Sequence, residues 1–211
     1  MRKKISIVCM TVGILLIAAA ISLAVYNRYE ENRAADAADS LMSLLHQAIE
    51  ADPSANEPDS NPPETDTEPP SEKTDSGKMT VIEIDGYGYI GYLSIPALAL
   101  ELPVMSEWDY NRLKIAPCLY YGSVKTDNMV IAAHNYTRHF GKLSQLKPGD
   151  IIRFTDIDGT VYTYQVGDLE TLPPTATKEM IASDWELSLY TCTYGSRSRV
   201  TVRCEHVEGR Q

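Results

Sequence analysis

The sequence is short of positive charge, and the deficit falls mainly in one region. It contains 19 Lys and Arg residues against 29 Asp and Glu residues, which gives a formal net charge of −10 at pH 7. A protein that binds nucleic acid neutralises phosphates with lysine and arginine, so this balance argues against a nucleic-acid partner. Residues 26–78 carry 13 acids and 4 bases, whereas residues 79–211 carry 16 acids and 12 bases. The acidity therefore belongs mostly to the earlier segment.

Charge is absent from residues 5–25, which read ISIVCMTVGILLIAAAISLAV. A helix of about 20 apolar residues is long enough to cross a bilayer. We therefore predict a transmembrane anchor at residues 5–25, preceded by a basic tail, MRKK, at residues 1–4. Because the tail is basic, the positive-inside rule predicts a single-pass protein of the cell membrane with a cytoplasmic N-terminus and an extracellular remainder. A cleaved signal peptide is the alternative, since Ala18–Ala20 offers small residues for cleavage.

Residues 26–78 contain little that would build a core of their own. In residues 26–51 the helical spacing of four apolar residues predicts a juxtamembrane helix, and these residues are Leu41, Leu44, Leu45 and Ile49. Its apolar stripe either pairs with another copy, lies on the folded domain or belongs to a helix that only lifts this domain off the membrane, and we favour the last. Residues 52–78 contain six prolines and many acids, which predicts a disordered, extended linker.

Strong helical periodicity is missing from residues 79–211, which we assign to one folded domain. Short β-rich segments alternate with turn signals such as Pro-Gly and Asp-Gly. These segments read YIGYLSIP, LELPV, NMVIAAH, DIIRFTD, TVYTYQV, ELSLYTC and RVTVRCEHV. Short helices are predicted near residues 108–115, 142–146 and 177–182, and a hairpin at residues 156–159. Many short strands at close spacing indicate a mainly β fold, with the sheet forming a closed or nearly closed barrel.

Cysteine is scarce, and one of the four cysteines has an unusual neighbour. Cys192 ends the segment ELSLYTC, and Arg199 begins the segment RVTVRC after a short polar turn. Successive side chains of a strand point to opposite faces, and the apolar set should face the core. This alternation predicts that Cys192 and Arg199 stand side by side on the outer wall of the sheet, whereas Cys204 is a core thiol.

A nucleophilic cysteine needs a partner that forms or holds its thiolate, and histidine is the usual one. His134 ends the segment NMVIAAH, where a strand leaves the core and meets a surface. His139 follows five residues later, in a predicted loop. We therefore predict His134, Cys192 and Arg199 as a candidate active site, although a histidine at a strand end is by itself more often structural.

The remaining cysteines leave alternatives open. Cys9 lies in the predicted anchor. Thiols outside the membrane can oxidise, so Cys118 and Cys204 either form a disulfide or are buried thiols. A disulfide from Cys192 to either of them would exclude a catalytic role for Cys192.

Several segments together resemble the sortase family. Residues 188–192, SLYTC, are similar to the TLxTC signature of sortases, and residues 130–136, VIAAHNY, resemble the strand and loop that carry the sortase histidine. Arg199 at the start of a final strand matches the sortase arginine, and residues 89–104 resemble the opening strands. The motifs occur in the family's order of histidine, cysteine and arginine, and the resemblance extends to residue 207.

The sequence also departs from the family's pattern. Ser188 replaces the first threonine of the signature, and the turn between Cys192 and Arg199 is short. Arg197 and Arg203 are further candidates for the arginine, and Arg203 shares the face of Arg199 by strand alternation. We favour Arg199.

The resemblance implies a fold and an activity. The fold is a sortase-like β-barrel of about eight strands, with a few short helices, behind an N-terminal transmembrane helix and linker. The activity is that of a cysteine transpeptidase of class B or D that cleaves an LPxTG-like sorting motif. It would transfer a surface protein to an amine of a peptidoglycan precursor or a pilin lysine in a Gram-positive bacterium. Cofactors are not required by this chemistry, and we predict none.

The resemblance also assigns roles to residues. Cys192 would form a thioacyl enzyme, and His134 would protonate the departing amine and then deprotonate the incoming one. Arg199 would bind the oxyanion or the substrate backbone, where a charged donor contributes on the order of 10²–10³ in rate. Thr191 would help to shape the substrate pocket.

Two other functions compete with the transpeptidase. One is a Cys-His peptidase of the cell wall, which would pass the acyl group to water. The other is a tethered β-domain that binds surface proteins without catalysis. Formation of an amide with an added amine would exclude the peptidase, which passes the acyl group to water. A Cys192→Ala variant that keeps its function would identify the non-catalytic binding domain.

Overall fold

The structure is a computed structural model that describes residues 2–50, 77–182, 184–193, 195 and 197–207. It begins with one long helix, α1 (Arg2–Glu50), which contains both the predicted anchor and the predicted juxtamembrane helix. Among the described residues one helix is long and apolar enough to cross a membrane, by length and composition, and its apolar stretch is not buried by the rest of the protein. Residues 52–76 of the predicted linker lie outside the described residues, as does residue 51 of the predicted juxtamembrane segment.

Nine strands and one short α-helix follow α1 in the described part of the chain. The strands are β1 (Ile82–Ile84), β2 (Tyr87–Ile95), β3 (Leu100–Met105), β4 (Cys118–Tyr121), β5 (Met129–Ala132), β6 (Ile151–Asp156), β7 (Val161–Leu172), β8 (Leu187–Cys192) and β9 (Arg199–His206). The helix α2 (Thr177–Ile181) lies between β7 and β8. Short 3-10 helices span Pro96–Leu98, Arg112–Lys114, Val124–Thr126 and Phe140–Gln145. The predicted helices at residues 108–115 and 177–182 contain Arg112–Lys114 and α2 respectively, and the one at residues 142–146 overlaps Phe140–Gln145.

The strands form a closed barrel. Their hydrogen-bonded order is β1-β2-β3-β4-β5-β8-β9-β7-β6, and β6 pairs back onto β2. This last pairing joins β2 to β9 into an eight-stranded barrel, with β1 as a short extra strand beside the start of β2. Closure depends on Gly91, whose φ is +143° and whose Cβ, if present, would lie 2.0 Å from the carbonyl oxygen of Thr155. The predicted mainly β, closed barrel with a few short helices is confirmed.

The inside of the barrel is apolar and follows the predicted alternation. Leu187 and Leu189 of β8 and Val202 and Cys204 of β9 are all 0% exposed and belong to the central cluster. Burying a side chain of this size stabilises the fold by about 1.5–3 kcal/mol. The prediction of Cys204 as a core thiol is confirmed, so the alternate residues of β8 and β9 face outward.

The second half of α1 packs against the outer wall of the barrel. Leu41 and Leu45 are buried in a cluster with Tyr89, Met105 and Val130 of the strands. The small residues Ala34 and Ala38 of the same helix are 4% and 2% exposed. The apolar stripe of the juxtamembrane segment therefore lies on the folded domain. The arrangement that we favour from the sequence, a helix that only lifts the domain off the membrane, is wrong, because the barrel wall offers apolar residues that bury this stripe.

Candidate active site

Strand pairing brings the three predicted residues to one end of three adjacent strands. Cys192 is the direct partner of Arg199 in the antiparallel pair β8–β9. On the other side of β8, β5 runs parallel, with Ala132 opposite Tyr190, and the Ala133 N–H donates to the Tyr190 carbonyl at 3.2 Å. His134 follows Ala132 by two residues, just as Cys192 follows Tyr190. Cys192 therefore lies between the end of β5, which is followed by His134, and the start of β9, which begins with Arg199.

A tight turn keeps Cys192 and Arg199 in register. The Thr193 N–H donates to the Ser198 carbonyl at 2.9 Å, and the Ser198 N–H donates to Thr193 Oγ1 at 3.1 Å. Gly195, at φ +76°, provides the left-handed residue that reverses the chain. These hydrogen bonds continue the pairing of β8 and β9 by one residue beyond Cys192 and Arg199. Because the turn is short and closed by them, it restrains both residues.

The loop that follows β5 is folded back on itself. We call residues 134–141 the His134 loop. The Phe140 N–H donates to the His134 carbonyl at 3.1 Å, and the Gly141 N–H donates to the Tyr136 carbonyl at 2.9 Å. The rings of His134 and Tyr136 stack with centroids 4.9 Å apart. Burial, with a smaller contribution from the nearby Lys114 ammonium, lowers the pKa of His134. The neutral imidazole is therefore favoured at this position.

The other two histidines of the domain have different environments. His139 is 0% exposed, and burial, the largest cause, lowers its pKa to about 4. Its ring nitrogens have no hydrogen-bond partner in the described part of the chain. His206 ends β9, so it lies at the opposite end of that strand from Arg199, where it contacts the ring of Tyr164. Of the three, His134 is the one that the strand order brings to the level of Cys192.

The arginines separate into a half-buried one at the site and a buried one behind it. Arg199 is half-buried and borders a cavity. Arg203 is 2% exposed, and its guanidinium donates to Glu170 at 2.6 Å and to the Ser188 hydroxyl at 2.8 Å. It also donates to the backbone carbonyls of Glu179 and Met180 in α2. Arg203 is thus engaged in holding α2 to the barrel.

This network modifies one expectation about the outer wall. The outward faces of β8 and β9 are not simply exposed, since Ser188 is 1% and Thr201 is 0% exposed. The chain around α2 covers them, because Met180 and Ala176 of that segment are themselves buried. Cys192, at the strand end, is half-buried rather than fully exposed.

Thr191 supports the site from the core side. It is 4% exposed, and its hydroxyl donates to the Ala133 carbonyl at 2.8 Å. This bond joins β8 to the residue directly before His134, so it restrains β5 and β8 relative to each other. The predicted contact of Thr191 with substrate stays a prediction.

The described thiols are unpaired. Cys118, Cys192 and Cys204 are free cysteines, with Cys118 and Cys204 buried. Burial raises the pKa of the Cys118 and Cys204 thiols to about 12 each, which suppresses their thiolate forms. Of the two alternatives that the sequence leaves for these two cysteines, the structure contains the buried thiols.

A cavity of about 200 Å³ opens beside Arg199. Four aromatic residues line it in edge-on contact, with Trp108 and Tyr120 centroids 5.8 Å apart and Tyr120 and Tyr190 centroids 5.3 Å apart. Tyr110, the fourth, stacks edge-on against Trp108 at 5.0 Å. Pro173, Pro174 and residues of α2 close the other side. The cavity therefore lies beside Arg199, the strand partner of Cys192, and beside Tyr190, two residues before Cys192.

Apart from Arg199, the residues of this cavity were not identified from the sequence. The lining comes from five separate segments, and no local spacing joins an aromatic residue at 108 or 120 to one at 190. The only available signal was the outward parity of Tyr190 in ELSLYTC. No cluster of three or more His, Cys, Asp or Glu residues suited to a metal ion occurs among the described residues.

Comparison with known proteins identifies the family. The Sortase domain family matches residues 93–207, more than half of the chain. Sortase C of Streptococcus pneumoniae is 28% identical with a TM-score of 0.51, over 57% of this chain and 70% of that one. Sortase C of Clostridium perfringens, in a structure with the C-terminal cell wall sorting motif, is 26% identical with a TM-score of 0.51, over 57% and 71%. Sortase A of Corynebacterium diphtheriae shares the fold at 24% identity and a TM-score of 0.53, over 58% and 62%.

A search of curated proteins finds no match. The solved structures named above are of class C and class A, so the class B or D assignment stays a prediction. The matched region contains the histidine, cysteine and arginine motifs in the order that the family resemblance implies, and the closed barrel is the fold that it implies. The chain belongs to the sortase family of transpeptidases.

Proposed function

We propose that the protein is a membrane-anchored sortase that cleaves an LPxTG-like sorting motif through a thioacyl intermediate. It then transfers the acyl group to the amine of a peptidoglycan precursor or a pilin lysine. The observation that carries the proposal is the register of β5, β8 and β9, which aligns Cys192 with Arg199 on one side and with the strand end before His134 on the other.

The proposed chemistry uses each of the three side chains once in each half-reaction. The Cys192 thiolate attacks the carbonyl carbon before the scissile bond, and Arg199 donates to the developing oxyanion. His134 as imidazolium protonates the amine that leaves, so a carbon–nitrogen bond breaks and a thioester forms. The neutral His134 then accepts a proton from the incoming amine, which attacks the thioester and releases the thiolate.

The aromatic cavity supports a peptide substrate. It borders Arg199, the strand partner of Cys192, and reaches Tyr190, two residues before Cys192, so a peptide bound in it would lie beside the strand end that carries the sulfur. Its lining combines aromatic rings with polar groups, among them Thr177 and the Arg199 guanidinium, so it offers both apolar contacts and hydrogen-bond donors to a peptide. In the Clostridium perfringens sortase C structure the relative is described with the C-terminal cell wall sorting motif, which is the same class of ligand.

The anchor belongs to the same proposal. Residues 5–25 would span the membrane with the N-terminus in the cytoplasm, and the barrel would lie outside the cell. The long apolar helix and the basic residues before it support this orientation. An enzyme held in this way would meet secreted proteins as they leave the membrane.

The test uses the full chain in detergent micelles with a labelled sorting peptide. With a primary-amine acceptor present, we expect an amide product, and without the acceptor a slower hydrolysis product. Cys192→Ala should form neither product nor a thioester trapped by mass spectrometry. Hydrolysis that is unaffected by the acceptor would instead identify a peptidase. Peptide binding without any turnover by the unmodified protein would identify a binding domain.

A further inference from the structure

The membrane-proximal helix contacts the His134 loop at consecutive residues. Thr137 and Arg138 of the loop each meet a carboxylate of α1, from Glu31 and Asp39 respectively. His139, the next residue, is fully buried and lies beside the backbone of Ala34, which is itself 4% exposed on the barrel side of α1. More than 90 residues of sequence separate the two partners in each of the carboxylate contacts. The loop therefore lies between the barrel and α1.

The two carboxylate contacts differ in their nature. Glu31 Oε1 accepts a hydrogen bond from the backbone N–H of Thr137 at 2.5 Å, and the Glu31 side chain is only 17% exposed. Arg138 and Asp39 form an ion pair at 2.6 Å, but their side chains are 52% and 60% exposed. An exposed ion pair contributes little, whereas a charge-assisted bond to a backbone group in a half-buried position fixes the main chain itself.

The main chain at Thr137 is mechanically connected to His134. The loop is closed by the bonds from Phe140 to His134 and from Gly141 to Tyr136. A Cβ at Gly141 would lie 2.5 Å from the carbonyl oxygen of Asn135, so the loop is packed without spare room. A shift of the chain at residue 137 cannot be absorbed locally and would move the backbone that carries the His134 ring.

We propose that Glu31 is a positioning residue for catalysis, through which the membrane-anchoring helix holds the His134 loop in its working geometry. The inference rests on the proposed function, since it assigns to Glu31 a role in the reaction of Cys192 and His134. It makes α1 part of the enzyme's working structure in addition to its being a tether. Glu31 itself touches neither the sulfur nor the substrate pocket, so it acts only through the loop.

Loss of the Glu31 contact has two measurable consequences. The ring of His134 would sample other positions, and misplacement of a catalytic group by about 1 Å costs up to about 10²-fold in rate. The ring would also become more exposed, and because burial is the main cause of its lowered pKa, that pKa would rise towards its ordinary value. A general loss of stability would not produce this second change.

The experiment compares three variants of the full chain in detergent micelles or nanodiscs. Glu31→Ala removes the acceptor, while Glu31→Gln keeps an oxygen that can accept from the Thr137 N–H. Asp36→Ala is the matched control, because it removes the same charge from an exposed position of the same helix. The readouts are the rate of thioester formation with a sorting peptide as a function of pH, and hydrogen exchange of the backbone amides.

We expect Glu31→Ala to slow thioester formation about tenfold with little change in KM. The pH above which the rate falls, which we assign to loss of the proton from His134, should move upward. Faster exchange should be confined to residues 136–141, and both Glu31→Gln and Asp36→Ala should stay within about twofold of the unmodified rate. An unchanged rate in Glu31→Ala, an equal loss in Asp36→Ala, or faster exchange throughout the barrel would each overturn the inference. The proposed function fails separately, if Cys192→Ala still processes the peptide.

Discussion

Cys192 and Arg199 are directly opposed residues of β8 and β9, joined by a turn that is closed by hydrogen bonds between Thr193 and Ser198. This relationship places Cys192 and Arg199 side by side in the sheet without a long loop between them. It also separates Arg199 from Arg203, which lies deeper in the same strand and is committed to Glu170, Ser188 and α2.

Replacing Arg199 should impair catalysis without unfolding the barrel. We expect Arg199→Ala to lower the rate of thioester formation by about 10²–10³, because a charged donor to the oxyanion would be lost. Arg199→Lys should recover part of the rate, since it keeps the charge but not the planar fork. The matched control is Arg197→Ala, at an exposed position in the turn, which should remain near the unmodified rate. If Arg197→Ala were the slower variant, the assignment of the arginine would be wrong.

Alkylation should distinguish Cys192 from the buried thiols. Cys118 and Cys204 are 0% exposed and have pKa values raised to about 12, so at pH 8 only about 10⁻⁴ of either is thiolate. Iodoacetamide should therefore modify Cys192 first in the folded full chain, as read by peptide mapping. Non-reducing and reducing digests should contain the same Cys118 and Cys204 peptides. Modification of Cys118 at a rate similar to that of Cys192 would contradict the buried placement.

The charge of Lys114 should tune the pH dependence of the reaction. Burial and the Lys114 ammonium both lower the pKa of His134, so replacing Lys114 with Gln should raise that pKa. A larger fraction of the imidazolium form would then be present at neutral pH, and the pH limit above which the general acid is lost should move upward. The measurement is the pH profile of the thioester-forming rate. Lys125→Gln, which is exposed, serves as the control and should leave the profile in place.

Buried His139 should make the protein less stable in acid. Its pKa is about 4 in the folded protein against an ordinary value of 6.5, so between these values the unfolded chain binds more protons than the folded one. Stability is therefore present above about pH 6.5 and is lost as the pH falls towards 4, by up to about 1.4 kcal/mol per pH unit. Nearby charges act on the same ring, with Glu31 raising its pKa and His134 and Arg138 lowering it.

His139→Leu should flatten this part of the pH dependence, because the group that titrates is removed. The test follows the thermal unfolding midpoint of the barrel by near-ultraviolet circular dichroism between pH 7.5 and pH 4. His206→Gln, at an exposed position, should retain the slope of the unmodified protein. A slope that is the same in His139→Leu and in the unmodified protein would show that other groups cause the acid sensitivity.

Arg203 should be structural rather than catalytic. Arg203→Met would leave Glu170, the buried Ser188 hydroxyl and two carbonyls of α2 without their donor, and a buried partner left unpaired costs about 1–3 kcal/mol. We expect a marked fall in the unfolding midpoint and weaker peptide binding, since α2 borders the cavity beside Arg199. Arg153→Met, on an exposed position of β6, controls for the loss of charge and should change neither quantity.

Several features of this protein follow from local sequence patterns. The absence of charge in residues 5–25 determines a helix long enough for a membrane, and the alternation in β8 and β9 determines which of their side chains enter the core. The order of the histidine, cysteine and arginine motifs identifies the family. These signals are readable because the periodicity of a strand or helix depends on neighbouring residues, and local sequence contains that information.

The tertiary structure decided what covers each face. Arg199 and Arg203 have the same parity in β9, and only the packing of α2 leaves the first half-buried beside a cavity and makes the second a buried anchor. The aromatic cavity and the contact of Glu31 with Thr137 join segments that are far apart in sequence. Alternation predicts the side of a strand on which a residue lies. It cannot predict the element that packs there, because this depends on how the closed barrel brings distant parts of the chain together.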